Sequence, residues 1–329
     1  MRLLSKNLAL AAVLLALVAA PMAARATSCT TQAELQPQDR DALTAAGGRL
    51  AVAIAQQDLA TLKAALLPAV AADWEGMSAI VQSSGSLTKG GQIALRSVYL
   101  LDASTLMAAA DTQFFCSNAS GSVTVTVTMR ALPPGKYAVV LADATGAPLA
   151  GQLGLILAWD GGVWKLGGLT VRPGVLDEHD GVWWWTHARD LAKGGQAWSA
   201  WFSYEVARSL LVPVDFLSSP NLEKLGTEET AIKNSPQDAF PLSLPDGART
   251  WKIDSLRLDP TLLHADLGAV YESTGVTDPA AQKTEAIAVL TALLKAQPGL
   301  RENFHGVWAY AAKGDKRTPV IELPMAQIP

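Results

Sequence analysis

The chain lacks what the common catalytic machineries need. It has no P-loop, no dinucleotide-binding glycine fingerprint, no Gly-x-Ser-x-Gly elbow and no paired-histidine zincin helix, so nucleotide-driven work and the familiar hydrolases fall away. Charge is sparse, with only 17% of the residues ionisable as Asp, Glu, Lys or Arg. Three of the 26 basic residues, and none of the 30 acidic ones, lie before Thr27, so the rest of the chain stands at 23 − 30 = −7. An acidic balance without a basic cluster excludes nucleic acid and anionic lipid as partners, since nothing remains to neutralise phosphates. Nothing in the sequence calls for a cofactor. The longest apolar run, Leu8–Ala20, has 13 residues and ends at Pro21. That falls short of the roughly 20 a spanning helix needs, so no transmembrane helix is expected.

What that run does have is an export signature. Arg2 and Lys6 precede it, and Ala24-Arg25-Ala26 follows with small residues at the positions a signal peptidase reads. Residues 1–26 are therefore expected to be a signal peptide, the mature chain starting near Thr27 and working in the periplasm or outside the cell, in a bacterial envelope. Both cysteines, Cys29 and Cys116, lie in the exported part, where an oxidising compartment favours a disulfide closing 87 residues. The rival reading makes Cys29 an acylated lipid anchor after Thr27-Ser28. Against it stand Ala26, where a large aliphatic residue is usual, and Arg25 between the site and the apolar run. Asn118-Ala119-Ser120 fits the glycosylation acceptor pattern.

The 303 remaining residues (329 − 26) are too many for one ordinary core. Apolar spacing predicts a helix over 37–57, weakened at Gly47-Gly48, a short helix capped by Asp58, and a third between Pro68 and Val81. The period then changes to two. Strands are expected at 93–101, 112–116, 122–129, 137–142, 153–159 and 163–171, the last two joined by a hairpin at Asp160-Gly161-Gly162.

Three helices followed by a curved antiparallel sheet that closes on Trp159-Asp160-Gly161-Gly162-Val163-Trp164-Lys165-Leu166-Gly167-Gly168-Leu169 resemble the nuclear-transport-factor-two-like or ketosteroid-isomerase-like cone. The resemblance covers about 37–173. It implies an α+β domain with a cavity between helices and sheet, a scaffold that serves enzymes, binders and adaptors alike. Isomerase chemistry there would need a carboxylate base facing a dry cavity and an oxyanion donor, for which Asp102, Asp111 and Tyr99 are the candidates. Turn or edge positions explain the two aspartates equally well.

Residues 177–230 return to helical spacing with Trp183, Trp184, Trp185, Trp198, Trp201, Phe202 and Tyr204. Trp184-x-x-His187-Ala188-x-x-Leu191, then Ala200-x-x-x-Tyr204 and Pro213, resembles one tetratricopeptide-type hairpin turning at Gly194-Gly195, and no second copy is visible. Three consecutive tryptophans sweep about 200° of helix surface at roughly 100° per residue, so one buried face cannot hide them all. Either two neighbours cover the segment or one ring is exposed to a partner, with Arg189 and Arg208 available to cover ring faces. Asp177, His179 and His187 form a cluster of metal-type ligands, which an acidic helix start also explains.

Residues 231–248 read as a linker. Beyond them, strands at 251–258 and 263–271, a helix from Asp278-Pro279 to about 296, and strands at 306–312 and 318–323 make a small β-β-α-β-β domain over 249–329. The expected organisation is thus an α+β cone over 27–175, an aromatic hairpin over 176–230, the linker and the small domain. The function this favours is an exported, non-catalytic binding or scaffold protein presenting a cavity or aromatic groove to a small apolar ligand or a protein. The alternative is a cofactor-independent isomerase or hydratase acting in the cone.

Overall fold

The computed structural model describes residues 27–247 and 249–329; the expected signal peptide lies outside the described residues. The chain is α+β with mainly antiparallel sheets. After the short strand β1 (Ser28–Thr31) come α1 (Pro37–Ala55), α2 (Leu59–Ala64), α3 (Trp74–Ser83) and α4 (Gly85–Thr88). Asp58 caps α2 as its residue type predicts, Oδ1 accepting from Thr61 N at 3.0 Å and Oδ2 from Thr61 Oγ1 at 2.6 Å. The two residues of the Gly47-Gly48 pair differ, for only Gly47 is pressed against the sheet. A Cβ on Gly47 would come within 2.8 Å of Val140 Cγ1, so glycine is what lets α1 lie this close to the sheet.

Six strands follow: β2 (Gln92–Asp102), β3 (Ala110–Ser117), β4 (Val123–Leu132), β5 (Lys136–Thr145), β6 (Gly151–Asp160) and β7 (Val163–Pro173). They divide into a five-stranded sheet of order β1-β2-β5-β6-β7 and a smaller sheet built on the β3–β4 hairpin. The β6–β7 turn is the expected glycine hairpin, with Gly161 and Gly162 at φ +57° and +88° between the paired Asp160 and Val163. Alternation along β5 sorts its residues between two cores. Ala138, Val140 and Ala142 face a cluster with Leu43, Leu50, Ile54, Leu153, Leu155 and Leu166, while Val139 and Leu141 face Leu101, Phe114, Val127 and Leu217. The helices thus cover one face of the large sheet and the small sheet covers the other. The disulfide Cys29–Cys116 joins β1 to β3 across this layering.

A two-stranded ribbon, β8 (Val175–Leu176) and β9 (His179–Asp180), leads into the helical hairpin α5 (Gly181–Lys193) and α6 (Ala197–Leu211). Asp180 caps α5 through Trp183 N at 2.8 Å. Carbonyls at the end of α6, which lack intrahelical donors, are taken by the first unit: Gln152 Nε2 donates to Leu210 O, Arg172 Nη1 to Val212 O and Thr170 Oγ1 to Pro213 O. β10 (Leu217–Ser218) extends the small sheet beside β4, and α7 (Pro220–Thr230) follows.

The region expected as a linker contains β11 (Leu242–Asp246), paired along its length with β12 (Arg249–Leu258). Then come β13 (Leu267–Glu272), α8 (Pro279–Ala296), α9 (Gly299–Asn303), β14 (Gly306–Lys313) and β15 (Lys316–Pro324), in sheet order β11-β12-β13-β14-β15. Asp278 caps α8 through Ala281 N at 2.8 Å, and α8 is the crossover that makes β13 and β14 parallel. The strand expected from Leu263 starts only at Leu267, because a 3-10 turn ends at Leu263 in the left-handed region, φ +62°. Trp184, Phe202 and Tyr204 of the hairpin share one continuous core with Trp251, Ile253, Leu290 and Phe304. Among the described residues no helix is long and apolar enough to cross a membrane.

Candidate functional site

A group of chemically capable side chains lies where β8–β9 meets the entrance to the C-terminal sheet. The ribbon turns on Asp177 and Glu178, both left-handed at φ +48° and +67°, in a turn that usually takes Asn or Gly. With Leu263 also left-handed, three non-glycine residues carry backbone strain around one spot, a pattern associated with functional centres. The turn aims the Asp177 carboxylate across the chain. Oδ2 accepts from Ala265 N at 2.8 Å, and Oδ1 bonds His264 Nδ1 at 2.5 Å. The His264 ring lies flat on His305, centroids 3.8 Å apart and planes at 13°. His305 Nδ1 in turn bonds Asp266 Oδ1 at 2.8 Å.

Parallel pairing explains the meeting. Leu267 opposes Val307, so Asp266 and His305, the residues leading into β13 and β14, are neighbours though 39 residues apart. Glu322 of β15 reaches over from the other side. Asp266 is fully buried with Oδ2 unpartnered, and Glu322 Oε1 is a second buried oxygen without a partner among the described residues. Burial pushes the Asp266 carboxyl up, the His305 hydrogen bond opposing it; burial, then the nearby Asp266, push Glu322 up. Asp266, His305 and Glu322 offer donor atoms all within 4.8 Å of one another, and these are the residues able to hold a metal.

Of the ligands singled out in the sequence, only Asp177 joins this group. His179 and His187 instead sandwich the Trp183 ring, at 3.5 Å and 4.7 Å between centroids, and His187 Nε2 meets Asn303 Oδ1 at 2.9 Å. The three tryptophans part as helix geometry requires. Trp184 is buried against Phe304, Trp185 is half-buried and Trp183 keeps 40% of its surface exposed. Arg189 does cover a ring, 4.3 Å above Trp185, and grips Glu228 with two hydrogen bonds of 2.7 and 2.9 Å. Glu228 also takes Trp185 Nε1 at 2.7 Å and Tyr204 Oη at 3.4 Å. Burial, then the Glu228 charge, push the Tyr204 hydroxyl up to about 12. Among the described residues Arg208 covers no ring in this way; it pairs with the buried Glu229. Trp198 packs on Phe240 and Trp201 on the shared core.

Asp102 accepts from Ser104 N and Oγ in the turn after β2. Asp111 Oδ1 accepts from Ala131 N at 2.8 Å, where that backbone is left-handed at φ +46°. Tyr99 lines a cleft of about 300 Å³ with Val125, Leu141, Val182, Trp185 and Leu222. A wider cleft of about 650 Å³ runs past Arg172, Glu205, Arg208 and Asp215. Asn118 is exposed, its side-chain oxygen accepting from Ser120 and Ser122 N.

Sequence reasoning missed His264, Asp266, His305 and Glu322. The signal available was His264-x-Asp266 in a chain with four histidines. Against known proteins, no family model, no curated protein and no solved structure matches the chain.

Proposed function

We propose that this is an exported, non-catalytic binding protein of the cell envelope whose ligand site is the cleft between the large sheet and the aromatic hairpin. One observation carries the reading: Tyr99 and Trp185, singled out separately in the sequence for two different reasons, line the same cleft. Its volume sits at the lower end of small-molecule sites, and an apolar lining with a few polar groups, here Arg96, Ser97 and Asn221, is what such sites use. A small apolar molecule with one hydrogen-bonding group fits that chemistry.

The resemblance of residues 37–173 to the nuclear-transport-factor-two-like cone belongs to the same proposal. It is supported by helices packed on one face of an antiparallel sheet that ends in the glycine hairpin. The space between those helices and the sheet is filled by Leu43, Leu50, Ile54, Val98, Val140 and Leu155, which favours binding over isomerase chemistry in a cone cavity. Export is supported by the Cys29–Cys116 disulfide, which also engages the thiol an acyl chain would need.

Titration with the apolar fluorophore N-phenyl-1-naphthylamine tests the proposal. Wild type is expected to bind one equivalent, and Ser97→Trp, which fills the cleft, to bind none while unfolding at an unchanged temperature. Equal binding by both proteins, or none by wild type, contradicts it.

A further inference from the structure

We propose that Asp266, His305 and Glu322 form a binding site for a divalent transition metal of the Zn²⁺ type, separate from the cleft. Three features of the geometry converge on it. One imidazole nitrogen and two carboxylate oxygens lie within 4.8 Å of one another. Ligands of a tetrahedral ion bound at 2.0–2.2 Å stand roughly 3.3 Å apart, so small side-chain rotations close the set.

The second feature is an electrostatic demand that the protein leaves unmet. Asp266 is fully buried, and its Oδ2 has no partner; Glu322 Oε1, also buried, has none either. Among the described residues neither carboxylate pairs with an arginine or lysine, and of the two His305 bonds Asp266 alone. A buried carboxylate oxygen without a donor is costly, and two of them side by side are costlier. A cation between them meets the demand of both.

The third feature is space. A Cβ on Gly306 would stand 2.6 Å from Glu322 Oε1 and 2.9 Å from Asp266 Oδ1, so glycine is what permits both carboxylates to converge there. His305 keeps about a third of its side chain exposed, which gives an ion a way in. The set is reinforced from outside by His264 stacked on His305 and by Asp177 holding His264, the kind of outer support that fixes ligand orientation.

The donor chemistry selects the ion. Calcium and magnesium favour all-oxygen shells of six or more, whereas one imidazole with two carboxylates suits zinc and its neighbours. Three protein ligands leave a fourth position for water or an external donor.

The test uses the disulfide-bonded exported chain, stripped with a chelator and titrated calorimetrically with ZnCl₂, CaCl₂ and MgCl₂. Wild type is expected to take one Zn²⁺, to unfold at a higher temperature with it, and to give no comparable effect with Ca²⁺ or Mg²⁺. Glu322→Gln is expected to weaken Zn²⁺ binding more than about 100-fold and to raise the unfolding temperature of the stripped protein, because it removes a buried charge. His305→Ala, at a partly exposed position, is a second loss-of-ligand variant should the first fold poorly. His179→Ala with His187→Ala should leave the affinity unchanged. Co²⁺ in place of Zn²⁺ should show the strong visible absorption of a four-coordinate site, absent in Glu322→Gln. No stoichiometric Zn²⁺ binding by wild type, or binding that survives both ligand variants, or binding lost with His179 and His187, overturns the proposal.

Discussion

Cys29 of β1 and Cys116 of β3 hold their Cα atoms 4.9 Å apart, joining the edge of the large sheet to the small sheet that covers it. A crosslink 87 residues apart in sequence restricts the unfolded chain strongly. On the loop-entropy account it contributes about 4–5 kcal/mol. Replacing both cysteines by serine should lower the unfolding free energy by roughly that amount in urea titration, with activity-independent readout by circular dichroism. Peptide mapping of exported material should also recover the Cys29–Cys116 linked pair without an acyl chain, starting near Thr27.

Gly47 and Gly48 should respond oppositely to alanine. A Cβ at Gly47 meets Val140 Cγ1 at 2.8 Å, but at Gly48 the nearest atom is Leu95 Cδ1 at 4.0 Å. Gly48→Ala should stabilise by up to about 1 kcal/mol through helix propensity. Gly47→Ala should instead cost about 1–3 kcal/mol from overpacking. Val140→Ala in the same chain should restore part of that loss. Thermal unfolding of the four proteins checks the pattern.

The grip of Arg189 on Glu228 predicts a pH dependence. Hydrogen bonding from Arg189 first, and from Trp185 after it, holds the Glu228 carboxyl below its ordinary range. A depressed folded-state value means that the stabilisation is complete above the unfolded value, about 4.3, and is lost as pH falls through the folded one. Glu228→Gln should therefore flatten the fall in stability on acidification below about pH 4.5. At pH 7 it should cost about 1–2 kcal/mol, the low end for charged hydrogen bonds because both side chains are a quarter to a third exposed. Denaturant titrations from pH 3 to 7 measure both effects.

The elements legible in the sequence are those whose signals are local. Asp58 and Asp278 cap helices within three residues, and Gly161-Gly162 turns a hairpin on its own φ angles. Short edge strands are a different matter. β1 and β11 carry little alternation of their own and exist because β2 and β12 offer them partners, so Ser28–Thr31 has no strand signal and Leu242–Asp246 has the composition of a linker. The close packing of Gly47 is likewise invisible locally, since it depends on Val140, far along the chain.

The histidine–carboxylate group was hidden by topology. Asp177, His264, Asp266, His305 and Glu322 come from four separate stretches, and only the parallel register of β13 and β14 makes Asp266 and His305 adjacent. No spacing rule encodes that register. The tryptophan triplet is legible in part: helical periodicity means that one buried face cannot hide all three rings, leaving cover by two neighbours or an exposed ring, and Trp183 is the ring left 40% exposed. The stacking of His179 and His187 on that ring has no local signal, because it depends on how the β8–β9 ribbon enters α5.

The measurement that reaches the binding proposal most directly is an amide and indole NMR titration with N-phenyl-1-naphthylamine. Trp185 donates its indole N–H to Glu228 beside the cleft, while Trp159 and Trp164 meet edge to face at the β6–β7 hairpin. The account predicts saturable shifts at the Trp185 indole and at the amides of Tyr99 and Leu141, with Trp159 and Trp164 unmoved. Shifts confined to the hairpin tryptophans, or none at Tyr99 and Trp185, would contradict it.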